Sequence, residues 1–208
     1  MRRLFYGLVI GFILGCAAAP LLSQSAPGVP PITARGAAYT RHIDIMPNSA
    51  TLGPTAPLLA SIGTARGLIF DADAQTVNLH IEIPNDWDRS TSPNLHISWV
   101  PQSGEPLLEN ETVIWLISYR SRGLTEVIDG GSVVATSATY TQTGGAGTDK
   151  QMIVTHIPIP ATTGNQPVSA EDLLLIQFSR DMTNDTHGED AIVMKWLFDY
   201  TSISAFTG

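Results

Sequence analysis

From Arg66 to Ser202 apolar and polar residues alternate in short runs, and no stretch keeps a helical period long enough to matter. The clearest run is Val77, Leu79, Ile81 and Ile83, interleaved with Asn78, His80 and Glu82. A period of two puts the first set on one face of a strand and the second on the other. Eight main strands are predicted on this basis, over residues 67–71, 76–83, 94–100, 112–119, 132–141, 151–158, 173–180 and 191–201. Breakers divide them: Pro84-Asn85-Asp86, the stretch between Pro101 and Pro106, Asp129-Gly130-Gly131, and Gly144-Gly145-Ala146-Gly147. Residues 168–172 add at most one helical turn before the seventh strand. Eight short strands at this spacing predict an all-β fold, a single antiparallel sandwich of the jelly-roll kind.

In the last strand, strict alternation places Ile192, Met194, Trp196 and Phe198 on one face and Val193, Lys195, Leu197 and Asp199 on the other. Apolar residues on both faces mean a central strand, or one covered on its outer side by another subunit. Val193 and Leu197 are therefore candidates for an assembly surface. Trp99, Trp115, Phe178, Trp196, Phe198 and Tyr200 lie in or beside strands, where aromatics serve core and inter-sheet packing.

The N-terminal part has a different texture. Arg2 and Arg3 precede an uncharged stretch whose apolar heart runs over residues 4–22. A basic start followed by a short apolar region is the layout of a secretory signal. Cys16 follows Leu14-Gly15 as in a lipoprotein box, where it would carry lipid. The same stretch is almost long enough to anchor as a membrane helix. Export or membrane attachment is the expectation. Residues 23–65 hold six prolines (Pro27, Pro30, Pro31, Pro47, Pro54, Pro57) and read as an extended arm. Two alternating pieces, 39–46 and 58–62, are suited to pairing with a sheet edge, and Leu58 and Ile62 join the candidate assembly surface. The expected division is thus 1–22, 23–65 and a sandwich over 66–208.

Composition narrows the function. Hydrophobic residues make up 43% and charged residues 14%, well below the roughly 25% of an average globular chain. A formal charge of −8, with Lys150 and Lys195 as the only lysines, excludes nucleic acid as a partner, because phosphates demand a basic footprint. Cys16 is the single cysteine, which leaves the sandwich without disulfides or a cysteine-bearing zinc site.

The order of pieces resembles the jelly-roll domains of phage and metagenomic virion structural proteins. The residues that carry the resemblance begin with Gly67-Leu68-Ile69-Phe70-Asp71 and Leu95-His96-Ile97-Ser98-Trp99. The strand running from Glu171-Asp172 through Leu173 to the Arg180-Asp181 exit comes next, and the closing strand from Gly188 to Tyr200-Thr201 ends the series. The resemblance spans Thr64 to Ser202. It implies a structural or adhesive role in a particle, with no catalytic residues.

Candidate chemistry is sparse. Asp181, Asn184, Asp185, Glu189 and Asp190 cluster between the last two strands, and several oxygens on one loop are a candidate for Ca²⁺. The competing reading is a hairpin whose Asp, Asn and Gly serve turn geometry. His42, His80, His96, His156 and His187 show no metal-ligand spacing, and by parity His80 faces away from the Val77–Ile83 apolar set. There is no Gly-x-Ser-x-Gly elbow, and the Gly144–Gly147 run lacks the Lys-Ser/Thr of a phosphate loop. Glu105, Glu109 and Glu111 read as exposed acids. The expectation is a non-enzymatic structural protein without cofactor, Ca²⁺ aside, that self-assembles into a virion or similar particle. Two alternatives stand beside it. One is an exported filament subunit or lipoprotein that donates a strand. The other is a carbohydrate-binding module in which exposed Trp87, Trp99 or Trp115 stack on sugar rings.

Overall fold

The computed structural model describes residues 38–203 except 131, 161, 164, 165, 168 and 170. The apolar segment 1–22 with Cys16, and the arm as far as residue 37, lie outside the described residues. The strands are β1 (Tyr39–Ile45), β2 (Thr51–Leu52), β3 (Leu58–Ile62), β4 (Ala65–Phe70), β5 (Thr76–Glu82), β6 (Asn94–Pro101), β7 (Thr112–Arg122), β8 (Val134–Thr141), β9 (Ile153–Pro158), β10 (Thr162–Thr163), β11 (Gln166–Pro167), β12 (Leu173–Arg180) and β13 (Ala191–Ser202). The one helical element among the described residues is a 3₁₀ turn, Pro47–Ser49.

Eleven of these strands build two antiparallel sheets that face each other, an all-β sandwich; β10 and β11 pair only with one another. One sheet runs β3-β4-β13-β6-β9, with β1 also on β13; the other runs β2-β5-β12-β7-β8. All eight strands expected from alternation are present. The count of eight is corrected to eleven because β1, β2 and β3, from the proline-rich stretch, pair onto this chain's own sheets. β1 and β3 are the two alternating pieces expected to pair with a sheet edge, and β1 is exposed at five of its seven positions.

The period of two decides the interior. Val77, Leu79 and Ile81 of β5 meet Leu174, Ile176 and Phe178 of β12 and Val113, Trp115 and Ile117 of β7 on the inner face of one sheet. Leu68, Phe70, Leu95, Ile97, Trp99, Trp196 and Phe198 supply the other. At the centre Phe178 stacks on Trp115 at 5.2 Å and meets Phe70 and Trp196 edge-on at 5.4 and 5.3 Å. Edge-to-face and offset contacts suit the ring quadrupoles and add to the area these side chains bury. Trp99 Nε1 donates to the buried Thr155 hydroxyl at 3.0 Å.

One face assignment fails. The register between β13 and β6 shifts between Val193 and Lys195, so Met194 is an extra residue on β13. An inserted residue inverts the parity of everything before it. Val193 accordingly points into the core and is fully buried, whereas alternation alone put it outside. Ile192 and Met194 lie over Gly67, where a Cβ would come within 2.6 Å of Ile192 Cγ2 and 2.9 Å of Met194 Sδ.

Candidate functional site

The outer face of the five-stranded sheet carries the polar half of the alternation. Register fixes how its side chains line up. Asn78, Gln177 and Ser118 form one row across β5, β12 and β7, and His80, Leu175 and Arg120 form the next. His80 is exposed and faces away from Val77, Leu79 and Ile81. Above these rows the connection from β7 to β8 closes one side, contributing Ile128, Asp129 and Val133. The result is a cleft of about 430 Å³, in the size range of small-ligand sites.

Arg120 ties floor to wall. Its Nη1 donates to the carbonyl of Asp129 at 2.6 Å and, more weakly, to that of Gly130 at 3.5 Å. Glu126 steadies the start of the same connection, accepting from Gly123 N at 3.2 Å and from Arg122 Nη1 at 3.5 Å. The cleft offers two side-chain amides, an imidazole, a hydroxyl and a guanidinium beside the aliphatic Leu175, Ile128 and Val133. Among the described residues its lining holds a single carboxylate, Asp129.

The expected stacking residues are elsewhere. Trp99 and Trp115 are fully buried and Trp87 is 5% exposed, so none presents a face to a sugar. They were plausible from sequence because a strand tryptophan looks the same whichever side it faces. The cleft residues were missed for a related reason: Asn78, Gln177 and Arg120 lie far apart in the chain, and only strand pairing brings them together.

The candidate assembly residues divide. Leu58 pairs with Ile69 and Ile62 with Ala65, while Leu197 lies between the inward Trp196 and Phe198. Leu58, Ile62 and Leu197 thus share the outer face of the six-stranded sheet, with Leu58 67% exposed, and Val193 is inside. The same face gathers histidines. His42 is opposite Asp199, and His96 is opposite His156 with ring centroids 4.2 Å apart. His96 Nε2 lies 3.1 Å from Asp199 Oδ2. Burial first, and the His156 ring second, hold the His96 imidazole below the usual histidine range, against the pull of Asp199.

The acidic loop is organised around a cation the chain supplies. Arg180 is fully buried, and its Nε donates to Asp185 Oδ2 at 2.7 Å. Its other nitrogens donate to the carbonyls of Phe70 (3.3 Å), Glu189 (2.6 Å) and His187. Asp181 accepts from the backbone and side-chain amides of Asn184 at 3.1 and 2.9 Å. Burial, followed by the charge of Asp71, raises the Asp190 carboxyl above its ordinary range. Among the described residues no three His, Cys, Asp or Glu side chains come together to hold a metal. Of the five candidate calcium ligands, Asp181 and Asn184 bond to each other within a turn and Asp185 is held in a buried ion pair.

No family model matches this chain, and no curated protein does. Among solved structures it is similar to the C-terminal family 22 carbohydrate-binding module of Clostridium thermocellum Xyn10B, at 8% identity over 75% of this chain and 88% of that one, with a TM-score of 0.39. A family 11 carbohydrate-binding module from Clostridium thermocellum, in complex with a β-1,3-1,4-mixed-linked tetrasaccharide, gives 11% identity, 77% and 87% coverage, and a TM-score of 0.35. The structure of infectious bursal disease virus Gx strain gives 15% identity and a TM-score of 0.31, over 83% of this chain and 34% of that chain. Likeness this remote assigns no ligand, and the architecture rests on the strand pairing itself.

Proposed function

We propose that this chain is a non-catalytic glycan-binding sandwich, with its ligand seated on the outer face of the five-stranded sheet. The observation that carries this reading is the convergence of Asn78, Gln177, Ser118, His80 and Arg120 in one cleft beside Leu175. Amides and hydroxyls both donate and accept, which matches the hydroxyl groups of a sugar, and aliphatic side chains suit its C–H faces. Without an aromatic platform, affinity comes from hydrogen bonds. Affinity electrophoresis and calorimetry against a polysaccharide panel test the reading. At least one polymer should bind, and Gln177→Ala should weaken it about tenfold, the equivalent of one hydrogen bond. Failure of every polymer to bind would refute it.

A second reading has its own observation. β3 is an edge strand with Leu58 and Leu59 both largely exposed, and it contains no charge or proline to discourage pairing. A self-assembling subunit of a virion or a surface filament would use such an edge, with the signal-like segment 1–22 directing export or membrane attachment. Light scattering separates the two. A monomer at working concentration argues against assembly and leaves glycan binding intact.

A further inference from the structure

The charge inside the cleft points to a narrower ligand class. Resting on the glycan reading above, we infer that the cleft selects glycans bearing carboxylates, that is uronate-containing chains, with Arg120 as the anion-binding group.

Four described cations are at least partly buried: Arg120, Arg122, Arg180 and Lys195. Three of them face a carboxylate of this chain. Arg122 lies 3.5 Å from Glu126, Arg180 2.7 Å from Asp185, and Lys195 2.9 Å from Asp44. Among the described residues Arg120 alone of the four has no carboxylate within 4.0 Å, although the chain carries an acidic excess of eight. Its hydrogen bonds go from Nη1 to two backbone carbonyls, which orient the guanidinium plane without neutralising it. Asp129 presents its carbonyl to Arg120, and its carboxylate, which also lines the cleft, lies more than 4.0 Å from the guanidinium. A half-buried, oriented, uncompensated guanidinium is the group that recognises a carboxylate through paired hydrogen bonds. The adjoining row of Asn78, Gln177 and Ser118 is left for the ring hydroxyls of the same ligand.

The experiment compares polymers that differ only in the carboxylate. Polygalacturonate and alginate are each assayed against their carboxyl-reduced forms, on the full chain, by calorimetry at low and moderate salt. One acidic polymer should bind at least tenfold tighter than its reduced counterpart and weaken as salt rises. Arg120→Gln should abolish that preference and Arg120→Lys should keep part of it, while Gln177→Ala lowers binding of both forms alike. Equal or tighter binding of the reduced polymers overturns the inference and leaves the glycan reading standing. Absence of binding by any polymer, acidic or neutral, overturns both. Should Arg120→Gln fail to fold by thermal melt, competition by free galacturonate on the wild-type chain decides the point, and no competition counts against the inference.

Discussion

Asparagine in place of Asp185 removes one charge and almost no volume, which makes it a sharp test of how the β12–β13 connection is held. Arg180 and Asp185 are 0% and 1% exposed, so neither has water to fall back on. Removing one partner of a buried pair costs about 3–5 kcal/mol, because the other charge is left uncompensated. Arg180 would keep the carbonyls of Phe70, His187 and Glu189, which places the expected loss near the lower bound, about 3 kcal/mol. For a domain of this size each kcal/mol lowers Tm by about 2–4 °C, so the melt should fall by about 6–12 °C. In urea the midpoint should drop by about 1.5 M for a slope near 2 kcal/mol/M. A double-mutant cycle with Arg180→Met and Asp185→Leu isolates the pair, and the combined variant should be far less damaged than the sum of the single ones. An Asp185→Asn variant within about 1 kcal/mol of wild type, or a cycle with no coupling, would show that the carbonyls alone suffice and that the reasoning is wrong.

Three further outcomes follow from packing and charge. Trp196→Ala should cost about 3–5 kcal/mol by urea unfolding, since the side chain is fully buried against Phe178; near-wild-type stability would remove it from the core. Gly67→Ala should destabilise by about 1–3 kcal/mol, because its Cβ would sit 2.5 Å from the Val193 carbonyl oxygen, a backbone atom that cannot swing away. His96 is held below its unfolded range, so the unfolded chain takes up that proton first as pH falls. Its contribution is therefore complete above the unfolded value of 6.5 and is lost below it, and a urea midpoint that declines from pH 7.5 to 5.5 should decline less in His96→Gln. An identical slope in both proteins would rule out His96 as the source.

What could be read without coordinates follows from which forces are local. The alternation of Val77 to Ile83 and the breakers at Pro84 and Gly144 are local, and they located every main strand. The inversion at Met194 is not local, because a bulge is visible only against a partner, and it moved Val193 from the expected surface to the interior. Burial of Arg180 was equally hidden, since the residues that enclose it come from β4 and from the connection beyond β12. The acidic run 181–190 is contiguous in the chain, but its pairing with the arginine that ends the preceding strand is visible only in the fold. The cleft depends on register among three strands, and nothing in Asn78 or Gln177 by itself marks either as functional.

The position of β13 has a consequence for how the molecule is made. It is the central strand of the six-stranded sheet, bonded along one edge to β6 and along the other to β4 and then β1. It is also the last described strand to leave the ribosome. Until its twelve residues emerge, β1, β4 and β6 have no common neighbour, and Trp196 and Phe198 are missing from the interior. Joining the first described strand to the last also means closing a very long loop, which slows folding. Synthesis of this chain should therefore pass through a stage in which half the sandwich waits, apolar faces uncovered, for its keystone to arrive.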